Sequence, residues 1–507
     1  MSFHITEIAI LAISYLLYKL TKFHLSSRAF HSFAVKNNCL PPPTQHTTLP
    51  YGLERYLILF TGFKGIDILE TLIRPRFANT HTIAIPSLKR HLSTVSPENI
   101  KTILGTSFAD YSLGASRAAN LGDLIGHGIF TADGESWTRF RAQLKPQFTR
   151  GQIGDLEVAE RHLGGLWAGL EREADGGWER GDLGKGLRRW TLDVSMEFLF
   201  GVGSGSQVGD GESEKKVRFA EAMVVAQETI IVRLRLGKWY WLVSPKRFRM
   251  ACKTVKEFTG ECVDRVLAPG YKPVGDAKKF VLMEELARQT EDRTEIRDQC
   301  LHLLLAGRDT TAALLGWCIV LLSRHPTEFE KLRTTVLAQF GTSSAPKQEL
   351  TFESLKTCKE LTHLEYETLR LYPIVPLNSR VAIRNTVLPN GGGPKGDSPV
   401  AVRKGTTVGY STYVMHRRHD IWGEDADEFR PARWEGRKLG WEYIPFSGGA
   451  RVCIGQQYAL NEVSFVLVRL LQRYDKIESL DDGPIVKQVT MTLSPANVSV
   501  RMHRADA

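Results

Sequence analysis

One decapeptide constrains this chain more than any other stretch: Phe446-Ser-Gly-Gly-Ala-Arg-Val-Cys-Ile-Gly455, of the form F-x-x-G-x-R-x-C-x-G. A single cysteine lies between glycines, with Arg451 two residues before it and a helix-forming run, Gln456-Gln-Tyr-Ala-Leu-Asn-Glu, directly after it. That order presents a sulfur at the N-terminus of a helix, where free backbone N–H groups and the positive end of the dipole favour an anion. Gly449 and Gly455 keep side chains away, so a large flat group can approach the sulfur, and Arg451 can hold a carboxylate of that group. A cysteine taken at random in a glycine-rich turn is more often a buried structural residue. Five spaced positions of fitting types argue against that here.

A haem meets these requirements, with iron on the sulfur and a propionate on the arginine. The pattern resembles the cysteine-ligand loop of the cytochrome P-450 superfamily, the haem-thiolate monooxygenases. The resemblance implies that Cys453 is the axial metal ligand of a haem b (iron protoporphyrin IX). It further implies that Arg451 contacts a propionate, that Phe446 packs beside the sulfur, and that Gly449 belongs to the same cofactor loop.

Upstream, residues 294–325 read as one long helix ended by Pro326. An apolar helix of that length is normally a core helix, yet its centre is Leu303-Leu-Leu-Ala-Gly-Arg-Asp-Thr-Thr-Ala312. An interior glycine costs roughly 1 kcal/mol against alanine, and an acid beside two threonines is out of place in a plain core. The chemical reading is a helix that opens locally beside a ligand: Gly307 leaves room for dioxygen, Thr310 donates a hydrogen bond and Asp309 relays protons. The plain alternative is a capped kink with a solvated Asp309. The stretch matches the family's A-G-x-D-T-T, which implies Asp309 and Thr310 as an acid–alcohol proton relay, with Ala306 and Gly307 against the haem.

Three weaker patterns gain meaning beside these two. Trp137 and Arg141 are i, i+4 and share a helix face; the resemblance implies that they hold a propionate. Glu367 and Arg370 form E-x-x-R, by itself a surface ion pair of little consequence. With Arg433 downstream they resemble the family's buried structural triad, although Ala432 stands where the family usually has an acid. The segment Ile374-Val-Pro-Leu-Asn-Ser-Arg380 resembles the strand that lines the pocket, with Arg380 on a propionate; a surface arginine on a strand edge is the plain alternative. Residues 489–493 are expected to give the last pocket-lining turn.

The chain has 507 residues and a formal net charge of +10. A basic balance suits nucleic acid, an anionic membrane or an acidic partner. No zinc-finger spacing or basic-aromatic module points to nucleic acid. Seven cysteines occur singly with no C-x-x-C, which argues for a reducing compartment.

At the N-terminus, residues 3–20 are mostly apolar and would reach about 27 Å as a helix, close to a bilayer core. Lys19, Lys22, Arg28 and Lys36 follow, which places the downstream chain on the cytoplasmic side. The expectation is an uncleaved membrane anchor over 1–22, with an amphipathic surface helix as the alternative. A basic, proline-rich linker over 23–50 and a single catalytic domain over 51–507 then follow. Consecutive prolines at 41–43 favour a stiff extended hinge.

Short strands are expected over 80–86 and 90–95, and a small-residue loop over 108–125. Flexible loop is the reading of the glycine-rich run 201–211. The aromatic and basic segment 239–250 either dips into a membrane interface or packs as core. Pocket shape is expected to depend on loops near 112–124 and 223–236.

The fold implied is mainly α with a small β-region, the haem lying between the long helix and the cysteine helix. Leu388-Pro-Asn-Gly-Gly-Gly, Met415-His-Arg-Arg and Ala426-Asp-Glu-Phe-Arg-Pro look like the fungal alkane and fatty-acid ω-hydroxylases. The activity implied is insertion of one oxygen atom of O2 into a C–H bond of a lipophilic substrate. Electrons would come from NADPH through the FAD/FMN of NADPH–cytochrome P-450 reductase, with cytochrome b5 as a second donor. The location implied is the endoplasmic reticulum membrane. Three alternatives stay open: tailoring of a fungal secondary metabolite on the same scaffold, a haem-thiolate isomerase or dehydratase that needs no reductase, and a non-catalytic membrane haem carrier.

Overall fold

Helices carry most of the chain and the strands are short, in a computed structural model that describes residues 2–47, 67–87, 90–174, 176–201, 214–272 and 280–505. The glycine-rich run after Gly201 and the expected domain start at residue 51 lie outside the described residues.

The long helix is Arg293–Arg324. Asp292 caps it, its side chain accepting from the N–H groups of Thr294 at 2.9 Å and Glu295 at 3.1 Å. Pro326 opens the next helix, Pro326–Phe340, where its missing N–H costs nothing. The long helix packs most extensively on Leu183–Phe200. It also meets Lys359–Leu371 and Gln456–Arg473. Two hydrophobic cores form around it. Ile296, Cys300, Leu301 and Leu303–Leu305 belong to one, and Ala312–Leu315, Trp317–Val320 and Leu322 to the other. Residues 306–311 belong to neither. The polar centre that looked misplaced in a core helix lies at the seam between two cores. The helix is unbroken there, so the local opening expected beside a ligand is absent.

Thr82–Ile85 and His91–Thr94 are the expected strands, paired antiparallel. They continue through Thr407–Ser411 and Leu377–Ala382 to Tyr111–Ser112 in a five-stranded sheet. His91–Thr94 runs parallel to Thr407–Ser411. This sheet carries Asn378 and Arg380 and the edge at Tyr111–Ser112 from which Leu113 leads into the next helix.

Two regions expected as loops are helical. Ala115–Ile125 is a helix whose Leu121, Leu124 and Ile125 are buried, an i, i+3, i+4 pattern masked by small residues at its start. Residues 223–236 lie within the helix Glu214–Leu236. The segment 239–250 is split: Trp241, Leu242 and Met250 are exposed, whereas Phe248 is buried.

The base of the cysteine loop is held by a buried cluster. Glu367 accepts from Arg370 Nη2 at 2.8 Å, from Trp434 Nε1 at 3.0 Å and from the Arg430 N–H at 2.9 Å. Arg370 also donates to the carbonyls of His416 and Glu428, at 3.0 and 2.9 Å. Arg433 Nε lies 3.3 Å from Glu367, and its Nη1 donates to Asp425 at 2.8 Å. Asp425 thus supplies the second carboxylate that Ala432 cannot. His416, pushed down to about 3 by burial, is neutral and accepts from the Ile444 N–H at 3.1 Å. Tyr443 packs among His416, Trp422 and Trp434.

The N-terminal helix runs from Ser2 to Lys36 without a break at residue 22, so the first part of the expected linker is helical. Among the described residues, Arg293–Arg324 is the helix long and apolar enough to cross a membrane, and 78% of its most apolar window is buried. It is a core helix. The proline stretch is fastened to the body rather than free. The Leu40 N–H donates to the Pro399 carbonyl at 2.9 Å, and the Pro41 and Pro43 carbonyls accept from Gly393 at 3.0 Å and Ala84 at 2.7 Å. Prolines lack donors but keep their carbonyls, so an extended proline segment can still join a sheet edge as an acceptor.

Candidate active site

A cavity of about 320 Å³ opens between the centre of the long helix and the cysteine loop. Ala306, Gly307, Thr310, Thr311 and Leu314 form one wall, and Phe446, Arg451–Gly455 and Tyr458 the other. The sequence brings these two motifs together across about 140 residues because both helices pack in the same core.

Cys453 precedes the helix Gln456–Arg473, and its own N–H donates to the Phe446 carbonyl at 2.9 Å. Its sulfur is open to the cavity while the protein encloses it. Burial pushes the thiol pKa up, against the Gly455 N–H and the charge of Arg141. Such a sulfur is poorly suited to stand as a free thiolate, whereas a bound metal ion deprotonates a coordinating thiol outright. All seven cysteines are free thiols. Burial drives Cys252, Cys262, Cys300, Cys318 and Cys358 upward as well.

The two glycines of the loop differ. A Cβ on Gly455 would make only ordinary contact with Phe148, at 3.6 Å, and the residue faces the cavity as expected. Gly449 does not line the cavity. It has φ +64° and a Cβ there would lie 1.8 Å from the Leu104 carbonyl oxygen. Its role is to let the loop touch residues 102–106, not to clear space at the sulfur. At Gly307, which does line the cavity, a Cβ would come within 3.2 Å of Ser195 Oγ on the neighbouring helix.

Among the described residues four arginines line the cavity: Arg117, Arg141, Arg380 and Arg451. Arg451 donates to Asp133 at 2.7 Å and to the Ala132 carbonyl at 3.0 Å, and lies 4.4 Å over Trp137. Arg141 donates to the Val452 carbonyl at 2.9 Å. Trp137 thus has both guanidinium groups near its ring, Arg141 lying 5.9 Å from it. Arg117 and Arg380 share one acceptor, Asn378 Oδ1, at 2.7 and 3.2 Å. Arg380 is buried, and its Nε has no partner. The hydroxyls of Tyr410 and Ser447 on the same cavity also lack partners. Burial lowers Arg117 and Arg451 to about 10; Asp133 opposes this in both, whereas each is lowered further by Arg380.

This arrangement tests whether haem b suits the residues present. Of the four cations Arg451 meets a carboxylate, Arg141 a backbone carbonyl, and Arg117 and Arg380 share a single amide oxygen, Arg380 also donating to the Ser379 carbonyl at 2.8 Å. Buried donors left so poorly matched are costly unless an anion completes them. Two propionates would supply that, beside an open sulfur and an apolar wall. Haem fits.

Asp309 and Thr310 are not equivalent. Thr310 lines the cavity, its hydroxyl donating to the Ala306 carbonyl at 2.6 Å. Asp309 does not line it; its carboxylate accepts from Gln227 Nε2 at 2.7 Å. Residues 489–493, expected as a lining turn, contribute no lining residue, nor do residues 223–236. Leu493 is instead bound to Ile374 and Trp317, at 2.8 and 3.0 Å. The sequence reading missed Arg117, Asp133, Asn378 and Tyr410. Asn378 was within reach, two residues before Arg380 on the same strand face. Arg117 was hidden by reading its helix as a loop.

A family model described as cytochrome P450 matches residues 85–500. The chain belongs to the cytochrome P450 family, and it is a haem monooxygenase, an oxidoreductase that incorporates molecular oxygen. Among relatives, it is 42% identical to cytochrome P450 monooxygenase g430 of Fusarium sp., the alignment covering 93% of this chain and 86% of that one. It is 43% identical to cytochrome P450 52A13 of Debaryomyces hansenii, covering 91% of each. It is 41% identical to cytochrome P450 monooxygenase himC of Aspergillus japonicus, over 91% of this chain and 83% of that one. In fold it is similar to a crystal structure of the cytochrome P450DA heme domain, with TM-score 0.74, 20% identity, and 92% and 99% of the two chains covered.

Proposed function

We propose that this protein hydroxylates a lipophilic substrate at an unactivated C–H bond, and that the substrate is a fatty acid or n-alkane oxidised at its terminal carbon. The observation that carries the reading is the meeting, on one cavity, of the Cys453 sulfur, Arg117 and Arg380 sharing Asn378 with the Arg380 Nε unpartnered, and the apolar wall Leu303–Ala306–Leu314. The relatives named cytochrome P450 52A13 and 52E2 are 43% and 40% identical and align over 91% and 92% of this chain.

Cys453 would bind the iron, and Arg451, Arg380, Arg117, Trp137 and Arg141 would hold the propionates, with Phe446 beside the sulfur. When bound, the haem supplies the activation of dioxygen for insertion of one atom into a C–H bond. The protein does the rest. Leu113, Ile129, Phe130, Leu199 and Ile374 exclude water and orient an apolar chain. Thr310 holds a hydroxyl proton on the cavity side of the helix, and Asp309 supplies protons from the side reached by solvent.

Electrons come from NADPH through the FAD and FMN of a reductase, with cytochrome b5 as a second donor, and the basic surface suits acidic partners. The first part of the helix Ser2–Lys36, up to residue 22, is the membrane anchor: Ile10, Leu11, Ile13, Leu16, Leu17 and Leu20 are all exposed. The catalytic body then lies on the cytoplasmic face of the endoplasmic reticulum. A second reading, tailoring of a secondary metabolite, is favoured by the similarity to g430 and himC. A binding-spectrum screen of alkanes, fatty acids and polycyclic metabolites on purified protein, followed by product analysis with reductase, separates the two. Terminal alcohols from fatty acids or n-alkanes support the first. Binding of polycyclic compounds alone overturns it.

A further inference from the structure

We propose that Gln227 is the positioning residue for the Asp309 carboxylate, so that the helix Glu214–Leu236 controls proton supply from a distance. The proposal rests on the assignment of Asp309 and Thr310 to proton delivery. Its basis is a closed ring of three side chains on two helices. Gln227 Nε2 donates to Asp309 Oδ2 at 2.7 Å, and Arg308 Nη1 donates to Gln227 Oε1 at 3.1 Å. Arg308 Nε completes the ring, 3.7 Å from Asp309 Oδ1. An amide has one donor end and one acceptor end, so only one orientation of Gln227 serves both partners. Gln227 and Arg308 are buried, 9% and 6% exposed, whereas the Asp309 side chain is 24% exposed. Water therefore reaches the acid but competes poorly for the amide.

The ring fixes which way the acid points. Gly307 and Thr310 face the cavity and Asp309 does not. The bond to Gln227 therefore sets the orientation from which the carboxylate passes a proton toward Thr310. Gln227 lies in the middle of a helix whose last turn is tied to the helix Ala115–Ile125 through Arg233 and Asp123, 2.6 Å apart. Arg233 is enclosed by Tyr240 and Phe248, at 5.0 and 4.8 Å. A shift of Glu214–Leu236 relative to the long helix would move the amide and with it the acid.

The test uses the full-length holoenzyme with reductase and substrate. Misdelivered protons divert turnover: the two electrons of NADPH, two protons and one O2 leave as hydrogen peroxide instead of product and water. Gln227→Leu removes both bonds at nearly constant shape and is expected to raise the peroxide share about threefold or more, with a changed solvent isotope effect. Substrate affinity and the rate of the first reduction stay the same. Gln227→Glu, which accepts but cannot donate when ionised, is expected to do likewise and stands in should the leucine variant fold poorly. In an Asp309→Asn background neither change should add anything. A double-mutant cycle in urea, read by unfolding alone, should return a coupling between positions 227 and 309.

An unaltered peroxide share in both Gln227 variants, or the same rise with and without Asp309, overturns the proposal. If Asp309→Asn itself leaves the peroxide share unchanged, the relay assignment fails instead. The urea cycle would then still report whether the contact exists.

Discussion

Cys453 carries the clearest prediction at the scale of single residues. Its sulfur faces the cavity but is desolvated, so its anionic form depends on a bound cation. Cys453→Ala is expected to abolish the red-shifted Soret band of the reduced, carbon monoxide-treated protein. Persistence of that band would remove the ligand assignment. Thr310→Ala deletes the one hydroxyl that the relay places on the cavity, and peroxide release is expected to rise by about tenfold. Arg117→Leu tests the residue that sequence reading overlooked. It leaves Asn378 to Arg380 alone and takes one cation from the propionate cradle. Haem content per protein after purification should fall, and an undiminished ratio would exclude Arg117 from that cradle.

Among the elements, the buried cluster around Glu367 is the anchor of the cysteine loop. By sequence it was a bare E-x-x-R, and such a pair on a surface is worth little. Here both side chains are fully buried, and Glu367 accepts from Arg370 in its own helix and from Arg430 and Trp434 in the stretch 430–434. Glu367→Gln leaves the buried Arg370 without its charge partner, while Arg433 keeps Asp425. Loss of about 3–5 kcal/mol in urea unfolding is expected, with haem released before the rest of the fold melts. Another buried acid ties the helix Lys359–Leu371 to the cysteine helix. Glu365 donates no charge there; burial pushes it up to about 8 from 4.5, against the Ser464 hydroxyl at 2.6 Å. The folded chain keeps a proton that the unfolded chain releases, so this group lowers stability progressively as pH rises from about 4.5 to about 8. Glu365→Gln should flatten that slope by up to about 1.4 kcal/mol per pH unit, measured from denaturation midpoints at several pH values. Glu462, also raised to about 8, would keep its own share.

For the whole molecule, the proposed membrane attachment turns on the first helix. The first helix is not a tethered rod. Arg403 donates to Ser26 at 2.6 Å and Ser27 at 3.3 Å and lies over Phe23 and Phe30. Its second half is therefore part of the catalytic body, and its first half projects apolar residues outward. Deleting residues 2–22 should move the protein from the membrane fraction toward the supernatant without loss of the carbon monoxide spectrum. Deleting 2–45 should also lower the melting temperature, because the bonds of Leu40, Pro41 and Pro43 to the sheet and its hairpin are lost. Equal stability of the two truncations would show that those bonds contribute nothing.

Local chemistry was readable from the chain wherever it depended on neighbours in sequence. The placement of Cys453 just ahead of a helix and of Trp137 and Arg141 on one helix face follows from spacing, because helical periodicity and backbone freedom are local properties. Partners brought from far along the chain were not readable. Asp425 replaces the acid missing at 432, Gly449 is required by the Leu104 carbonyl, and Arg117 shares Asn378 with Arg380. Asp309 turns toward Gln227 rather than into the cavity. Each of these depends on how two helices or a loop and a sheet pack against one another. That packing is set by the burial of the whole set of apolar faces at once, and no single stretch of residues encodes it.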